Sequence, residues 1–387
     1  MRKVGIVTQF HNSINYGGVL QAYALCCAIK EKGIYAEQIR FMHCNNELPA
    51  ERKSFLKRLV KACNPVVLTN YVSEKIYARL DAGIQSRLQE RRRAFLEFCE
   101  ANVPQSSKVF AADDIVEAGE DYDVFVTGSD QVWNPRWYQG TYFLDFVPKQ
   151  KRKISYAASL GVVSLTEEQQ DHFRNMLVDF HDISVREEDA VALLQPVTEK
   201  EIKCVLDPTM LLSAEQWDMV CDKKQVNEPY LLCYFLGKNK ELRKKAKQYA
   251  SAHCLKIVTI PHADGSFTEG DNGFGDIPIW DASPAQFLSL IKYADCVFTN
   301  SFHAAVFSGI YKRQFFVFHR YKVDKMVSRI YTLMRYFGSQ DHFCNTEEKC
   351  TMEYLNNAPL LSYDQPTELF LERKKESYDF LMRNLTQ

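Results

Sequence analysis

The sequence predicts an α/β protein of two Rossmann-like lobes facing a cleft, with a helical insertion in the first lobe. Three observations carry this reading. Short apolar runs of buried-strand type end in polar tips and lead into segments of helical periodicity. That unit recurs in two series along the chain. Between the series, residues 209–229 mix charges and lie between Pro208 and Pro229, which places the interdomain connection there. The expected boundaries are an N-terminal lobe over 1–212, with its insertion over 51–103, and a C-terminal lobe over 213–387 that includes a closing helix.

The first strand is Val4–Thr8, followed by a polar loop that ends in glycines. Val19, Ala22, Cys26 and Ile29 then fall at helical spacing until Gly33 supplies a stop. The opening lacks a G-x-G-x-x-G fingerprint, so it predicts no dinucleotide site. Asn15, Gly17 and Gly18 at the helix start either let an anion approach the backbone or form a tight turn. In the insertion, Glu51–Cys63 reads as a short amphipathic helix bearing Arg52, Lys53, Lys57, Arg58 and Lys61. That basic face is either solvated or, more sharply, touches an anionic membrane surface. Leu80, Ile84, Leu88, Phe95 and Phe98 mark a longer helix with Arg91, Arg92 and Arg93 on its surface.

Strand pattern returns at Asp123–Thr127 and stops at Gly128-Ser129-Asp130, with Trp133 and Asn134 just beyond. Ile154–Ala158 is the next strand, and residues 166–181 form a helix capped by Thr166. The short strand Ile183–Val185 leads through Arg186-Glu187-Glu188 into a helix, and Lys203–Leu206 ends at Asp207-Pro208-Thr209. The second series has strands at Tyr230–Leu236 and Lys256–Ile260 around a helix over 239–252. A long glycine-rich loop follows over 261–280, and Ser283-Pro284 with Gln286 opens a helix as a capping box. Cys296–Thr299 is a buried strand that breaks at Asn300-Ser301, where Ser301 can cap the following helix. His303 sits at that junction, either exchanging a proton near neutral pH or satisfied as a core histidine by a backbone carbonyl. Gln314–Phe318 is the next strand, and 366–385 the closing helix. Ligands of parallel sheets bind at the strands' carboxyl ends, so these polar tips are expected to face one another.

Composition excludes several classes. A net charge of −1 gives no global pull toward nucleic acid. The 12 cysteines include no C-x-x-C pair, so they read as reduced, buried thiols, with no structural metal expected. The N-terminus reads as a strand rather than a signal peptide, and no uncharged apolar run approaches the ~20 residues of a membrane helix. The expected setting is cytoplasmic, at the inner face of the membrane if 51–63 makes its contact.

Six stretches occur together in order: FHNSINYGGVLQAYAL (10–25), GSDQVWN (128–134), SYAASLG (155–161), SVREED (184–189), LDPTMLL (206–212) and TNSFHAAVFS (299–308). With these the chain resembles the polysaccharide pyruvyl transferase family, over residues 4 to 337. The resemblance implies a fold similar to GT-B glycosyltransferases. It implies transfer of pyruvate from phosphoenolpyruvate, as co-substrate, to two hydroxyls of a sugar or lipid-linked oligosaccharide acceptor, with no cofactor. Arg186 matches the family's anion-binding arginine; pairing with Glu187 or Glu188 is its plainer reading. His303 matches the motif histidine, as an acid or anion donor. Asp130 either accepts a proton from the sugar hydroxyl or only caps its loop. Ser301, Arg329, Asn15, Gly17 and Gly18 complete the expected donor side, and Trp133 and Asn134 the acceptor side. Several members carry Arg-Leu-His where this chain has Ser301-Phe302-His303, so the anion site is rebuilt from Arg329, Lys322 or Arg320, or the donor differs. The rival readings are a GT-B glycosyltransferase using a nucleotide sugar and a catalytically silent glycan-binding protein.

Overall fold

Two parallel sheets with one winding order organise the chain. The computed structural model describes residues 2–42, 82–262, 269–271, 273–319 and 328–386. The first lobe contains β1 (Lys3–Val7), α1 (Tyr16–Lys30), β2 (Tyr35–Phe41), α2 (Ala82–Asn102), β3 (Gln105–Phe110), β4 (Val124–Thr127) and β5 (Arg152–Ser155). It continues with α3 (Glu167–Leu177), β6 (Ile183–Val185), α4 (Glu188–Leu194), β7 (Ile202–Cys204) and α5 (Ala214–Asp218). Its sheet runs β3-β2-β1-β4-β5, and bridges from Ile154 to Asp182 and from Ala158 to Val185 extend it to the β6–β7 pair. The second lobe contains β8 (Tyr230–Tyr234), α6 (Lys240–Ala252), β9 (Lys256–Thr259), β10 (Ile277–Pro278), α7 (Pro284–Lys292), β11 (Cys296–Thr299) and α8 (Phe302–Ile310). It closes with β12 (Gln314–Phe318), α9 (Ser328–Tyr336), β13 (Phe343–Cys344), α10 (Met352–Asn357) and α11 (Glu368–Thr386). Its sheet runs β10-β9-β8-β11-β12-β13. Both orders reverse between the first and fourth strands, the switch point at which such sheets open a crevice.

The central strands form where the sequence is apolar on both faces. Each residue of β4, β8 and β11 is buried, as strands covered by helices on two sides require. β2 and β3 lack that pattern. Glu37 is buried in β2 because the hydroxyls of Tyr35 and Tyr122 each donate to it at 2.7 Å, and β3 is a half-exposed edge. Helix starts follow their caps: Thr166 and Ser283 each close a capping box with a glutamine three residues on.

The lobes share one core. Tyr16 of α1 stacks on Phe287 of α7, with centroids 4.3 Å apart, and its hydroxyl donates to Ala282 O at 2.7 Å. Trp217 of α5 is fully buried against Tyr23 of the first lobe and Phe307 of the second. The closing helix forms where the sequence placed it and packs against both lobes: Phe370 meets Tyr336 and Phe337 at the end of α9, and hydrogen bonds run to the first lobe. Arg373 donates to Cys204 O at 2.7 Å, Ser377 Oγ accepts from Leu206 N at 2.9 Å, and Arg152 reaches Asn384 at 2.9 Å. The helix thereby satisfies the Cys204 carbonyl at the end of β7 and the Leu206 N–H just beyond it.

The basic segment 51–63 lies outside the described residues, as do Arg320 and Lys322. Among the described residues no helix is long and apolar enough to cross a membrane.

Tyr16→Phe keeps the stacked ring and removes only the cross-lobe hydroxyl, leaving Ala282 O without its partner. The expected loss is about 1–3 kcal/mol in denaturant unfolding. A variant as stable as the parent would show that stacking alone joins the lobes.

Candidate active site

Both helices that leave the switch-point strands start at one cleft. Asn15 caps α1, its Oδ1 accepting from Gly17 N at 3.0 Å and Gly18 N at 3.4 Å. Ser301 caps α8, its side chain accepting from Ala304 N, as the sequence suggested. Asn300 fixes the same corner: it accepts from Leu236 N at 2.7 Å and donates to Leu236 O at 3.0 Å, bridging the loops after β8 and β11. The cleft encloses a cavity of about 150 Å³, reached by Asn15, Arg91, Asp130, Arg186, His303 and Arg329 among others.

At its floor is a buried charge cluster. Asp207 has no exposed side-chain surface. Its Oδ2 accepts from Arg186 Nη1 at 2.9 Å and Ser129 Oγ at 3.0 Å; its Oδ1 accepts from Thr209 N at 3.0 Å and Thr209 Oγ1 at 2.6 Å. His303 Nε2 faces the same carboxylate at 3.5 Å. Burial alone would raise the Asp207 carboxyl, but His303 and Arg186 outweigh it and hold the group well below the usual carboxylate range. Arg186 also donates from Nε to Glu187 at 3.0 Å, lies 3.8 Å from Asp130, and stacks over the Phe302 ring at 4.7 Å. Burial opposes its charge, while Glu187, Asp207 and Asp130 secure it.

His303 reaches this position because the second residue of α1 is glycine. A Cβ on Gly17 would lie 1.9 Å from His303 Nδ1. The imidazole is thus held between the backbone of one lobe and the carboxylate after β7, and the core-histidine reading with a carbonyl partner does not describe it.

The other residues singled out in the sequence divide. Asp130, Arg186, Ser301 and Arg329 all line the cleft. Asp130 holds a left-handed backbone at φ 67°, which turns the chain sharply after β4. The plainer reading of Arg186 also holds, since Glu187 is its partner. Gly17 and Gly18 do not offer their N–H groups to a ligand, because Asn15 takes both; their role is close approach. The acceptor-side assignments are corrected. Trp133 is 1% exposed, stacks on Phe143 at 5.4 Å and donates to Tyr142 O at 2.9 Å, so it belongs to the core. Asn134 is 2% exposed and spends its amide on Gln131 and Arg136 N, which shapes the loop.

Two residues escaped sequence reasoning. Asp207 is the second residue of the LDPTMLL stretch and stands at a strand tip, the position that marked Asp130. Arg91, expected on the surface, is 3% exposed and reaches the cleft. Its signal was present: Ile84, Leu88, Arg91, Phe95 and Phe98 follow one helical stripe, with arginine at an apolar position.

Gly17→Ala should reverse the usual sign of a glycine-to-alanine change in a helix, which gains up to ~1 kcal/mol. Overpacking against His303 is expected to lower stability by about 1–3 kcal/mol. A raised melting temperature would sink the close approach. Asp207→Asn leaves Arg186 without its shared carboxylate and should cost about 3–5 kcal/mol near neutral pH. Because the folded carboxyl is depressed, its contribution is complete above the unfolded value of about 4 and is lost as pH falls toward the folded value. The stability gap between parent and variant should therefore begin to close only below about pH 4 and keep narrowing as the pH falls further; a gap independent of pH would show that charge is not the cause.

A family model for polysaccharide pyruvyl transferase matches residues 15–320 of the chain. No curated protein matches it. Similar solved structures include the UDP-GlcNAc 2-epimerase of Methanocaldococcus jannaschii, at 12% identity, covering 99% of each chain with a TM-score of 0.56. The S. aureus MnaA–UDP complex shares 10% identity over 100% of this chain and 98% of its own, with a TM-score of 0.54. The UDP-GlcNAc 2-epimerase of Neisseria meningitidis bound to UDP-GlcNAc shares 8% over 99% and 100%, with a TM-score of 0.51. At these identities the likeness speaks for the GT-B-like, two-lobed fold. The family match spans from the cap of α1 to just past β12, taking in the Asp207–His303 cluster, and on that extent the chain belongs to the polysaccharide pyruvyl transferase family of transferase enzymes.

Proposed function

We propose that the cleft transfers pyruvate from phosphoenolpyruvate to two hydroxyls of a sugar in a surface-polysaccharide precursor, forming a ketal and releasing phosphate. The observation that carries this reading is His303, held against Asp207 in a cleft lined by Arg91 of α2, Arg186 at the tip of β6 and Arg329 of α9. Protonating the donor's methylene carbon needs an acid in the cleft, and an imidazole facing a buried, ionised carboxylate can supply the proton. In this scheme His303 gives its proton to the methylene carbon, and the positive charge that develops at C2 is met by a sugar hydroxyl. Asp130, at the tip of β4 in the first lobe, takes that hydroxyl's proton. The second hydroxyl closes the ring as the C2–phosphate oxygen bond breaks, and its proton leaves with the phosphate. Asp130 then gives up its proton to solvent and His303 takes one back, so over a turnover one proton equivalent from the acceptor is on the new methyl group, one has left with phosphate, and the reaction balances without a redox step.

Arg186 serves in this reading as a fixed cation rather than an open anion site. Its ties to Asp207 and Glu187 hold the β6 and β7 tips together and orient the carboxylate that faces His303. Ser301 adds the N-terminus of α8, a partial positive charge beside the donor.

The test is to incubate the protein with phosphoenolpyruvate and a panel of sugar acceptors, without nucleotide, and to follow phosphate and ketal by mass spectrometry. Acceptor-dependent phosphate release is expected. Release of nucleotide from a sugar nucleotide, with phosphoenolpyruvate untouched, would favour glycosyl transfer instead. His303→Gln should fold and turn over ~10²–10⁴-fold more slowly; near-parental turnover would remove His303 from the chemistry.

A further inference from the structure

The charges around the cleft are unevenly distributed, and the imbalance locates the donor's phosphoryl group. The Arg186 corner carries one guanidinium against three carboxylates, Asp207 at 2.9 Å, Glu187 at 3.0 Å and Asp130 at 3.8 Å. It is net negative before any ligand arrives. A further anion placed there meets like charge at close range in a weakly screening setting. That corner does not suit a phosphoryl dianion.

Arg91 is the opposite case. It is 3% exposed, lies on α2 of the first lobe and lines the same cavity. Its guanidinium stands 4.8 Å over the Tyr16 ring and 6.0 Å from the Phe95 ring, in an apolar, weakly screening setting. Its one hydrogen bond among the described residues runs from Nη1 to Pro261 O at 2.9 Å, across to the second lobe. Its Nε is buried with no acceptor among the described residues, and no described carboxylate forms an ion pair with it. A buried guanidinium left with spare donors and no counter-charge is expensive unless an anion completes it. A planar fork that faces a cavity suits phosphate oxygens in particular.

We infer that Arg91 is a substrate-binding residue whose ligand is a phosphoryl group, and that it supplies the charge that position 301, a serine, does not. The inference rests on the proposed donor only for the identity of the molecule that carries the phosphoryl group. In that assignment the carbon frame points from Arg91 toward His303, and the leaving phosphate departs on the side away from the carboxylate cluster. The plainer role of Arg91 is a strut between α2 and the Pro261 carbonyl. A strut would affect stability without affecting anion affinity.

Isothermal titration separates these roles, using inorganic phosphate, phosphoenolpyruvate, pyruvate and UDP against the parent, Arg91→Gln and Arg91→Lys. A charged hydrogen bond contributes about 1.5–3 kcal/mol, so Arg91→Gln should weaken phosphate and phosphoenolpyruvate about 10- to 100-fold and leave pyruvate unchanged. Arg91→Lys keeps the charge and lacks the fork; it should fall between them, and it serves if the glutamine variant does not fold. Arg91-dependent binding of phosphate and UDP, with no binding of phosphoenolpyruvate, would uphold the phosphoryl site while overturning the proposed donor. Failure of the parent to bind phosphate, or unchanged phosphate affinity in both variants, would overturn the inference and leave the strut.

Discussion

The Asp207 carboxylate is the point on which the site depends. It lies where three strand tips of the first lobe meet one helix of the second. Ser129 after β4, Arg186 after β6 and Thr209 in the turn after β7 all direct hydrogen bonds to it, and His303 of α8 faces it at 3.5 Å. A buried carboxylate is tolerated only when its lone pairs are occupied, so these partners are held in place by the cost of leaving any of them unmade. The same bonds that keep the anion ionised therefore fix the histidine's environment and the mutual positions of the β6 and β7 tips.

Rigidity between the lobes has a second source. Tyr16, Phe287, Tyr234, Phe307 and Trp217 form a continuous aromatic seam from α1 through α7 and α8 to α5. The closing helix adds hydrogen bonds from the end of the chain back to β7. A cleft framed in this way presents preset dipoles and charges to its ligand, and fixed groups of that kind contribute more to a transition state than groups that must first reorganise. Gly17 shows how fine the fit is: the two lobes come so close at His303 that a single methyl group has no room.

The charge pattern also recasts the role of an arginine at a strand tip. Arg186 is buried and inside the cleft, two properties that suggest an anion binder, yet three carboxylates surround it. Arg91 arrives from a helix far away in sequence and keeps its charge uncompensated among the described residues. Net charge around a group, rather than the group's identity, decides whether it can receive an anion.

Much of the frame was legible from the residues. Runs that are apolar on both faces, such as Tyr230–Tyr234 and Cys296–Thr299, can only be buried strands, and Thr166, Ser283 and Ser301 marked their helix starts through local hydrogen bonds. The strand tips likewise pointed to Asp130, Arg186 and His303 as residues of one cleft, because parallel sheets place those tips at one edge. What stayed hidden depends on partners distant in sequence. Glu37 marks a central strand only once Tyr122 is beside it, and Trp133 resembles a cleft residue until Phe143 and Tyr142 enclose it. The closing helix showed its periodicity but not that it would pack against both lobes, and Arg91 showed its charge but not its burial. Local sequence determined the elements and their order because periodicity and capping act within a few residues. Tertiary structure decided which charges are paired, because pairing is set by groups that only folding brings within a few ångströms.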